Sequence, residues 1–374
     1  MLVQLVVERT FNRHVVAQQF AAGATALTSR GLGSNVKERS VMTESDQETV
    51  PRSGPVATVV FYVVCILLFP AMMVGYVLWV GKLYARRGSG VSGTAQGPLS
   101  ARWFQHRLGI RHDAAAHCLL MALPGISPLA VWFLFGPMEL AHRLSGYVPR
   151  AFRYPFEGDV TFGNQVSARQ TFYDGAVDQY LDGMDQFVIL GAGFDTRAYR
   201  LPGQWRGRSF EVDTPETLAI KREALNVAEV DSAGVEFVAA DFEKEDWFDC
   251  LVEAGFDADK PSLFLWEGVT PYLDRAAVED TLRKIAGCAR GSVVAFDYFT
   301  TEVLDSQSWH LRLVRASLQR SGEPLKFGID GTPSSSERVA GWLQSCGLTL
   351  REQHMLGRET AGERALGGYA IAIV

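Results

Sequence analysis

From Val56 to Gly81 the chain runs for 26 residues without a formal charge, VATVVFYVVCILLFPAMMVGYVLWVG, and charge returns only at Lys82. About 20 apolar residues suffice to cross a hydrocarbon core, so the stretch predicts a membrane-anchor helix over 56–81. Pro70, in its middle, is expected to kink it. Tyr76 and Trp79 fall near one end and are followed by Lys82, Arg86 and Arg87, the flank expected at a membrane interface. Lys82, Arg86, Arg87, Arg102 and Arg107 outnumber Lys37, Arg39 and Arg52 on the other side. That bias predicts a single pass with the larger C-terminal part facing the cytosol. A second apolar stretch, 114–136, is interrupted by His117, Pro124, Gly125 and Pro128, which predicts a helix, a turn and a second helix. Such a hairpin is membrane-associated or re-entrant; a second crossing and a plain core helix are the alternatives. The intervening GSGVSGTAQG (88–97) reads as a flexible linker, and Tyr147–Phe156 as an extended loop.

From Val166 the pattern changes to short apolar runs alternating with helical periodicity. Helices are expected over 166–182, 214–229, 244–254, 275–288 and 335–346, with a helix start at 195–200. Strands are expected over 187–191, 208–212, 235–240, 262–266, 292–297, 348–354 and 368–374. Strands separated by helices pair in parallel through right-handed crossovers, giving a doubly wound α/β sheet. The late strand pair makes it seven-stranded with an antiparallel edge. The expected organisation is therefore a disordered or targeting tail (1–55), the transmembrane helix (56–81), linker and membrane-associated or lid helices (82–139), and a catalytic domain (140–374). The tail combines Arg9, Arg13, Arg30, Lys37 and Arg39 with Ser, Ala and Thr, a composition shared with organelle transit peptides.

In open α/β sheets, ligands bind beyond the carboxyl ends of the strands. Four features fall there. FVILGAGFDTRAYRL (187–201) carries the turn Gly191 to Gly193, whose lack of Cβ lets a ligand approach the backbone. Position 196 is Thr and not the third glycine of a dinucleotide fingerprint. Asp213 ends the second strand about twenty residues later, where a carboxylate can take both hydroxyls of a ribose. Asp241 and Phe242 follow the third strand and suit an adenine amino group and ring. Glu267 closes the fourth strand.

Composition narrows the field. The net charge of −6 and the absence of a basic stripe argue against nucleic acid as a partner. Cys65, Cys118, Cys250, Cys288 and Cys346 are far apart with no CxxC pair, so neither a metal site nor a disulfide framework is expected.

The segments SARQTFYD (167–174), FVILGAGFDTRAYRL, FEVDTPETLAIKREAL (210–225), AADFEKEDWFDCLVEAGFD (239–257) and LFLWEGVTPYL (263–273) resemble the leucine carboxyl methyltransferase-like family of class I methyltransferases. The resemblance covers roughly 140–374 and implies a Rossmann-like methyltransferase sheet and S-adenosylmethionine as cofactor. It implies Arg169 as the partner of the methionine carboxylate, Gly191 and Gly193 beneath the methionine, and Asp213 on the ribose. It further implies Asp241 and Phe242 on the adenine, Glu267 near the amino group, and Tyr272 facing the acceptor as the candidate catalytic residue. No metal is needed for such a transfer. The expected activity is O-methylation, at a carboxyl or hydroxyl, of a small or lipid-like acceptor. A protein carboxyl methyltransferase and a non-catalytic S-adenosylmethionine-binding scaffold are the alternative readings. No histidine falls in the motifs, which favours an acceptor that needs no base.

Overall fold

The computed structural model describes residues 54–85, 93–161, 163–320, 323–332, 334–359 and 364–374. The tail expected over 1–55 lies outside these residues as far as position 53, as does the linker between 86 and 92. The helices, in order, are α1 (Pro55–Leu67), α2 (Phe69–Ala85), α3 (Gly93–Arg107), α4 (Ala114–Ala122), α5 (Pro128–Ser145), α6 (Gln165–Tyr180), α7 (Pro215–Val227), α8 (Trp247–Glu253), α9 (Arg275–Ala286), α10 (Thr301–Asp305), α11 (Trp309–Arg320) and α12 (Ser335–Ser345).

The single helix expected over 56–81 is two helices, α1 and α2, bent by 63°. Leu68 still donates its N–H to Val64, but Pro70 has no N–H to offer Ile66, and the helix restarts with Pro70 in its first turn. Among the described residues no single helix is long and apolar enough to cross a membrane; only the bent pair matches a span in length and composition. The second apolar stretch is the expected helix, turn and helix: Asp113 caps α4 by accepting from Ala116, α4 ends at Ala122, and α5 begins at Pro128. The linker reading fails after Gly93, because GTAQG is the first part of α3.

Seven strands form one sheet in the order β3-β2-β1-β4-β5-β7-β6. They are β1 (Gln186–Leu190), β2 (Arg208–Asp213), β3 (Val235–Ala239), β4 (Ser262–Trp266), β5 (Val293–Phe299), β6 (Thr349–Leu356) and β7 (Gly367–Ile373). The first five are parallel; β7 runs antiparallel between β5 and β6. The antiparallel strand is thus not the edge. β6 is, and its largely exposed alternation fits a strand with one neighbour, whereas β7 is buried almost throughout.

β1 is buried on both faces. Val188 and Leu190 join one core with Phe210, Phe264 and Phe296, and Phe187 and Ile189 join a second with Tyr173, Leu263 and Leu265. That double burial is why the strand reads as a continuous apolar run. Strand order reverses between β1 and β4, so the crevice for a ligand opens above Leu190 and Trp266. The helix start expected at 195–200 is only a 3-10 turn, Arg197–Tyr199. Asp195 takes the Arg197 N–H, and the segment follows its buried ion pairs instead of helical periodicity.

Candidate functional site

After β1 the chain turns through Gly191 (φ +65°) and Gly193 (φ +44°), both in the left-handed region that glycine enters without strain. A Cβ at Gly191 would collide with Val269, and one at Gly193 would stand 3.3 Å from the Ala95 Cβ. The turn is therefore packed between the loop after β4 and the first turn of α3. The Gly193 N–H donates to Asp213 Oδ2 at 2.7 Å, and the Thr214 N–H to Oδ1 at 2.7 Å. This fixes the carboxylate at the end of β2 and leaves Oδ2 a lone pair for a hydroxyl. Burial raises the Asp213 carboxyl above its usual range, against the lowering by these backbone donors.

Asp213 pairs in register with Ala239, so the turn carrying Asp241 and Phe242 follows on the neighbouring strand. Asp241 accepts from the Glu243 N–H at 3.0 Å and from Lys244 Nζ at 2.6 Å, and that lysine bond holds its carboxyl low. Phe242 is half-buried, its ring 5.8 Å from Trp247. Tyr272 lies on the 3-10 turn Thr270–Tyr272, half-buried, on the same loop as Glu267. The structure thus gathers Gly191, Gly193, Asp213, Asp241, Phe242, Glu267 and Tyr272 along one edge of the sheet.

Arg169, on α6, reaches this edge from the other side. Its Nε stands 3.0 Å from Glu267 Oε1 and its Nη1 3.6 Å from Asp297 Oδ2. The second oxygen of Glu267 takes Arg197 at 2.5 Å and Arg102 at 3.1 Å. Burial disfavours the charge on Glu267, but Arg197, Arg102 and Arg169 outweigh it and hold the carboxyl below its usual range. The sequence expectation of a carboxylate waiting for a ligand ammonium is thereby modified, since three guanidiniums already face it. Arg169 Nε and Glu267 Oε1 form a buried ion pair at 3.0 Å without hydrogen-bond geometry, and Arg102 Nε and Arg197 Nη2 beside them also make no hydrogen bond. A guanidinium and a carboxylate side by side match in charge a ligand that carries a carboxylate and an ammonium on one carbon.

The pair belongs to a larger buried cluster that motif reading missed. Arg197 also joins Asp174 at 2.7 Å and Asp195; Arg102 reaches Asp195 at 3.3 Å. Arg111 bridges Asp174 at 2.8 Å and Asp113 at 2.5 Å, and Arg200 adds to Asp174 at 2.6 Å. Tyr173 donates to the Trp266 carbonyl at 2.9 Å and to Asp297 at 3.3 Å. Burial opposes ionisation of Asp174 and Asp195, yet the surrounding arginines hold both well below the usual carboxylate range. Asp195 and Arg197 sit inside a quoted motif, and Asp174 ends another, so their residue types carried a signal. Arg102 carried none except being a charge amid neutral residues of α3.

Residues 152–286 match the family model described as Leucine carboxyl methyltransferase. A protein of Mycobacterium ulcerans (strain Agy99) named "Putative S-adenosyl-L-methionine-dependent methyltransferase" is 34% identical over 180 residues, covering 47% of this chain and 58% of that one. A similarly named protein of Mycolicibacterium smegmatis is 39% identical over 147 residues, covering 38% and 47%. The chain thus spans about half the length of these curated relatives. Among solved structures, an O-methyltransferase family protein from Burkholderia thailandensis aligns with a TM-score of 0.37 at 15% identity, over 56% of this chain and 57% of that one.

Proposed function

We propose that this chain, which carries a leucine carboxyl methyltransferase segment at residues 152–286, binds S-adenosylmethionine and passes its methyl group to an oxygen of a small or lipid-like acceptor. The observation that carries the reading is the buried ion pair of Arg169 Nε with Glu267 Oε1, without hydrogen-bond geometry, set beside the glycine turn and Asp213. A methionine carboxylate pairs with Arg169 and its ammonium with Glu267. Asp213 Oδ2 takes a ribose hydroxyl, and Asp241 and Phe242 receive the adenine at the end of β3. The sulfonium supplies an already activated methyl group.

What remains for the protein is alignment and exclusion of water. Three arginines around Glu267 keep it ionised, so the ammonium is oriented by a fixed charge and the sulfonium methyl is aimed away from the amino-acid end. Tyr272, on the loop beyond Glu267, is the candidate for contact with the acceptor. A carboxylate acceptor needs no proton removed at neutral pH. Helix α3 acts as the lid of this pocket, with Ala95 over Gly193 and Arg102 on Glu267. The apolar helices α1, α2 and α5 beside it favour an acceptor with a lipid-like body.

The test is a panel of acceptors with methyl-labelled S-adenosylmethionine: long-chain and isoprenoid-type carboxylic acids, hydroxylated lipids, and whole protein fractions. Label in base-stable ethers or base-labile esters of the small acceptors is the expected result. Label confined to protein carboxyl termini overturns the acceptor class in favour of a protein carboxyl methyltransferase. Binding without any transfer would point to a scaffold.

A further inference from the structure

Of the nineteen large hydrophobic side chains exposed among the described residues, fourteen lie on α1, α2 and α5. Their spacing is orderly. Val59, Val63 and Ile66 form one stripe of α1, and Val74 and Val77 one of α2. On α5, Leu129, Trp132, Leu140 and Leu144 face outward while Ala130, Val131, Leu134 and Met138 are buried. Apolar patches of this kind mark an interaction surface.

The three helices form one layer. Phe61 of α1 packs on Tyr147, just beyond α5, with ring centroids 5.3 Å apart. Gly75 of α2 lies against the middle of α5, where a Cβ would come within 2.5 Å of the Leu134 nitrogen. Lys82 donates to the Ile126 carbonyl at 2.9 Å, just before α5 begins. The bent pair therefore runs antiparallel along the whole of α5. Phe135 fastens α5 inward to Phe104 and Trp103 of α3, at 5.0 and 5.5 Å.

Charge identifies what the layer meets. From Arg52 to Arg150 inclusive the chain has nine Lys or Arg, of which Arg102 and Arg111 are buried in the ion cluster, and only two acids, Asp113 and Glu139, in a protein whose net charge is −6. Both acids are buried and paired with arginines. Cations stand at both ends of the face: Lys82 at the end of α2, and Arg143, 69% exposed and sharing Glu139 with Arg107, near the end of α5. None of these helices is by itself both long and apolar enough to cross a membrane. At ~1.5 Å per residue, α1 and α2 rise about 20 and 26 Å on either side of their bend, against a hydrocarbon core of ~30 Å.

We propose that α1, α2 and α5 form an in-plane docking face for a bilayer bearing anionic headgroups, with the apolar stripes in the acyl boundary and the cations at the headgroups. This rests on the face alone and not on methyl transfer, so either reading can fail without the other. It also places α3, and the pocket beneath it, next to the membrane.

The experiment is flotation of the full-length chain with vesicles of phosphatidylcholine alone or mixed with phosphatidylglycerol. The chain is expected to float with the anionic vesicles, less with the neutral ones, and less in high salt. Trp132→Asp with Leu140→Asp should lower the vesicle-bound fraction at least about tenfold. Leu313→Asp, on an exposed position of α11, should leave it unchanged. Leu144→Asp serves as the readout if the double variant loses its cooperative thermal transition. The proposal is overturned if the variants float like the parent or the parent floats with neither vesicle. A parent that dimerises in solution, with a monomeric double variant, overturns it in favour of a second copy as the occupant.

Discussion

Arg169 is the residue on which ligand recognition and folding can be separated most cleanly. Glu267 keeps Arg102 and Arg197 when Arg169 is removed, and Asp297, which loses its cation, keeps the Gly268 N–H and the Tyr173 hydroxyl, so neither buried carboxylate is left without a donor. Arg169→Met is therefore expected to lower S-adenosylmethionine affinity by ~1.5–3 kcal/mol, the worth of a hydrogen bond to a charged group. Its urea midpoint should stay close to the parent's. A parallel collapse of stability would show that the arginine is structural. The position of this residue on a helix before the glycine turn was legible through a family motif alone. Its buried companions Arg102 and Asp297 were not, because their partners are supplied by the fold: Arg102 meets Glu267 across 165 positions of sequence. Gly191, Gly193, Asp213, Asp241 and Glu267 were legible for the opposite reason. Each lies at the end of a strand that the alternation of the sequence marks.

Among the elements, α3 is tied to the sheet by Arg102 and to α5 by Phe104. Arg102 is desolvated, and burial pulls its guanidinium below the ordinary value against the pull of Asp195 and Glu267. Its removal costs Asp195 and Glu267 one buried charged donor each while both keep Arg197, so Arg102→Met is expected to destabilise the protein by about 1.5–3 kcal/mol. Urea unfolding measures the loss, and hydrogen exchange should accelerate first in α3. The contact of α2 with α5 offers a steric counterpart. Gly75→Val drives side-chain carbon into the α5 backbone and should be destabilising by ~1–3 kcal/mol. At Gly81, where a Cβ meets nothing within 4 Å, Gly81→Ala should be neutral or stabilising by up to ~1 kcal/mol. The bend itself was half legible: Pro70 announced a break, but the direction each segment takes is set by Phe61 against Tyr147 and Gly75 against α5. The strand order of β6 and β7 was not readable from periodicity, which gives strand existence and not neighbours.

At the scale of the molecule, the buried carboxylates set the response to acid. Asp174, Asp195 and Glu267 are all held below their usual range in the folded protein, despite burial, by arginines. The folded state then binds fewer protons than the unfolded one, so this stability is present above about pH 4.5 and is lost as pH falls through and below that range. Glu211 acts in the opposite sense. Burial pushes its carboxyl up to about 7, against the lowering by Lys221 and Tyr199, so its contribution declines as pH rises from about 4.5 to 7. The urea midpoint is expected to be highest in the weakly acidic range, to decline modestly toward neutrality, and to drop steeply below about pH 4. A flat profile from neutral to acid would contradict the ion cluster as drawn. The α/β order and the ligand edge of the sheet were legible because they follow from alternation and strand ends. The helices before the domain were legible in part, as the helix, turn and helix of α4 and α5, but their packing was not, because it is decided by long-range contacts of α3 and α5.

The turn Gly191 to Gly193, Asp213 and the Arg169–Glu267 pair together are proposed to hold S-adenosylmethionine. Calorimetric titration of the full-length chain with S-adenosylmethionine, run beside Asp213→Ala, measures this. Saturable binding by the parent, at least about tenfold weaker in the variant, is the expected result. Equal affinity in the two contradicts the ribose assignment, and no binding by the parent contradicts the pocket itself.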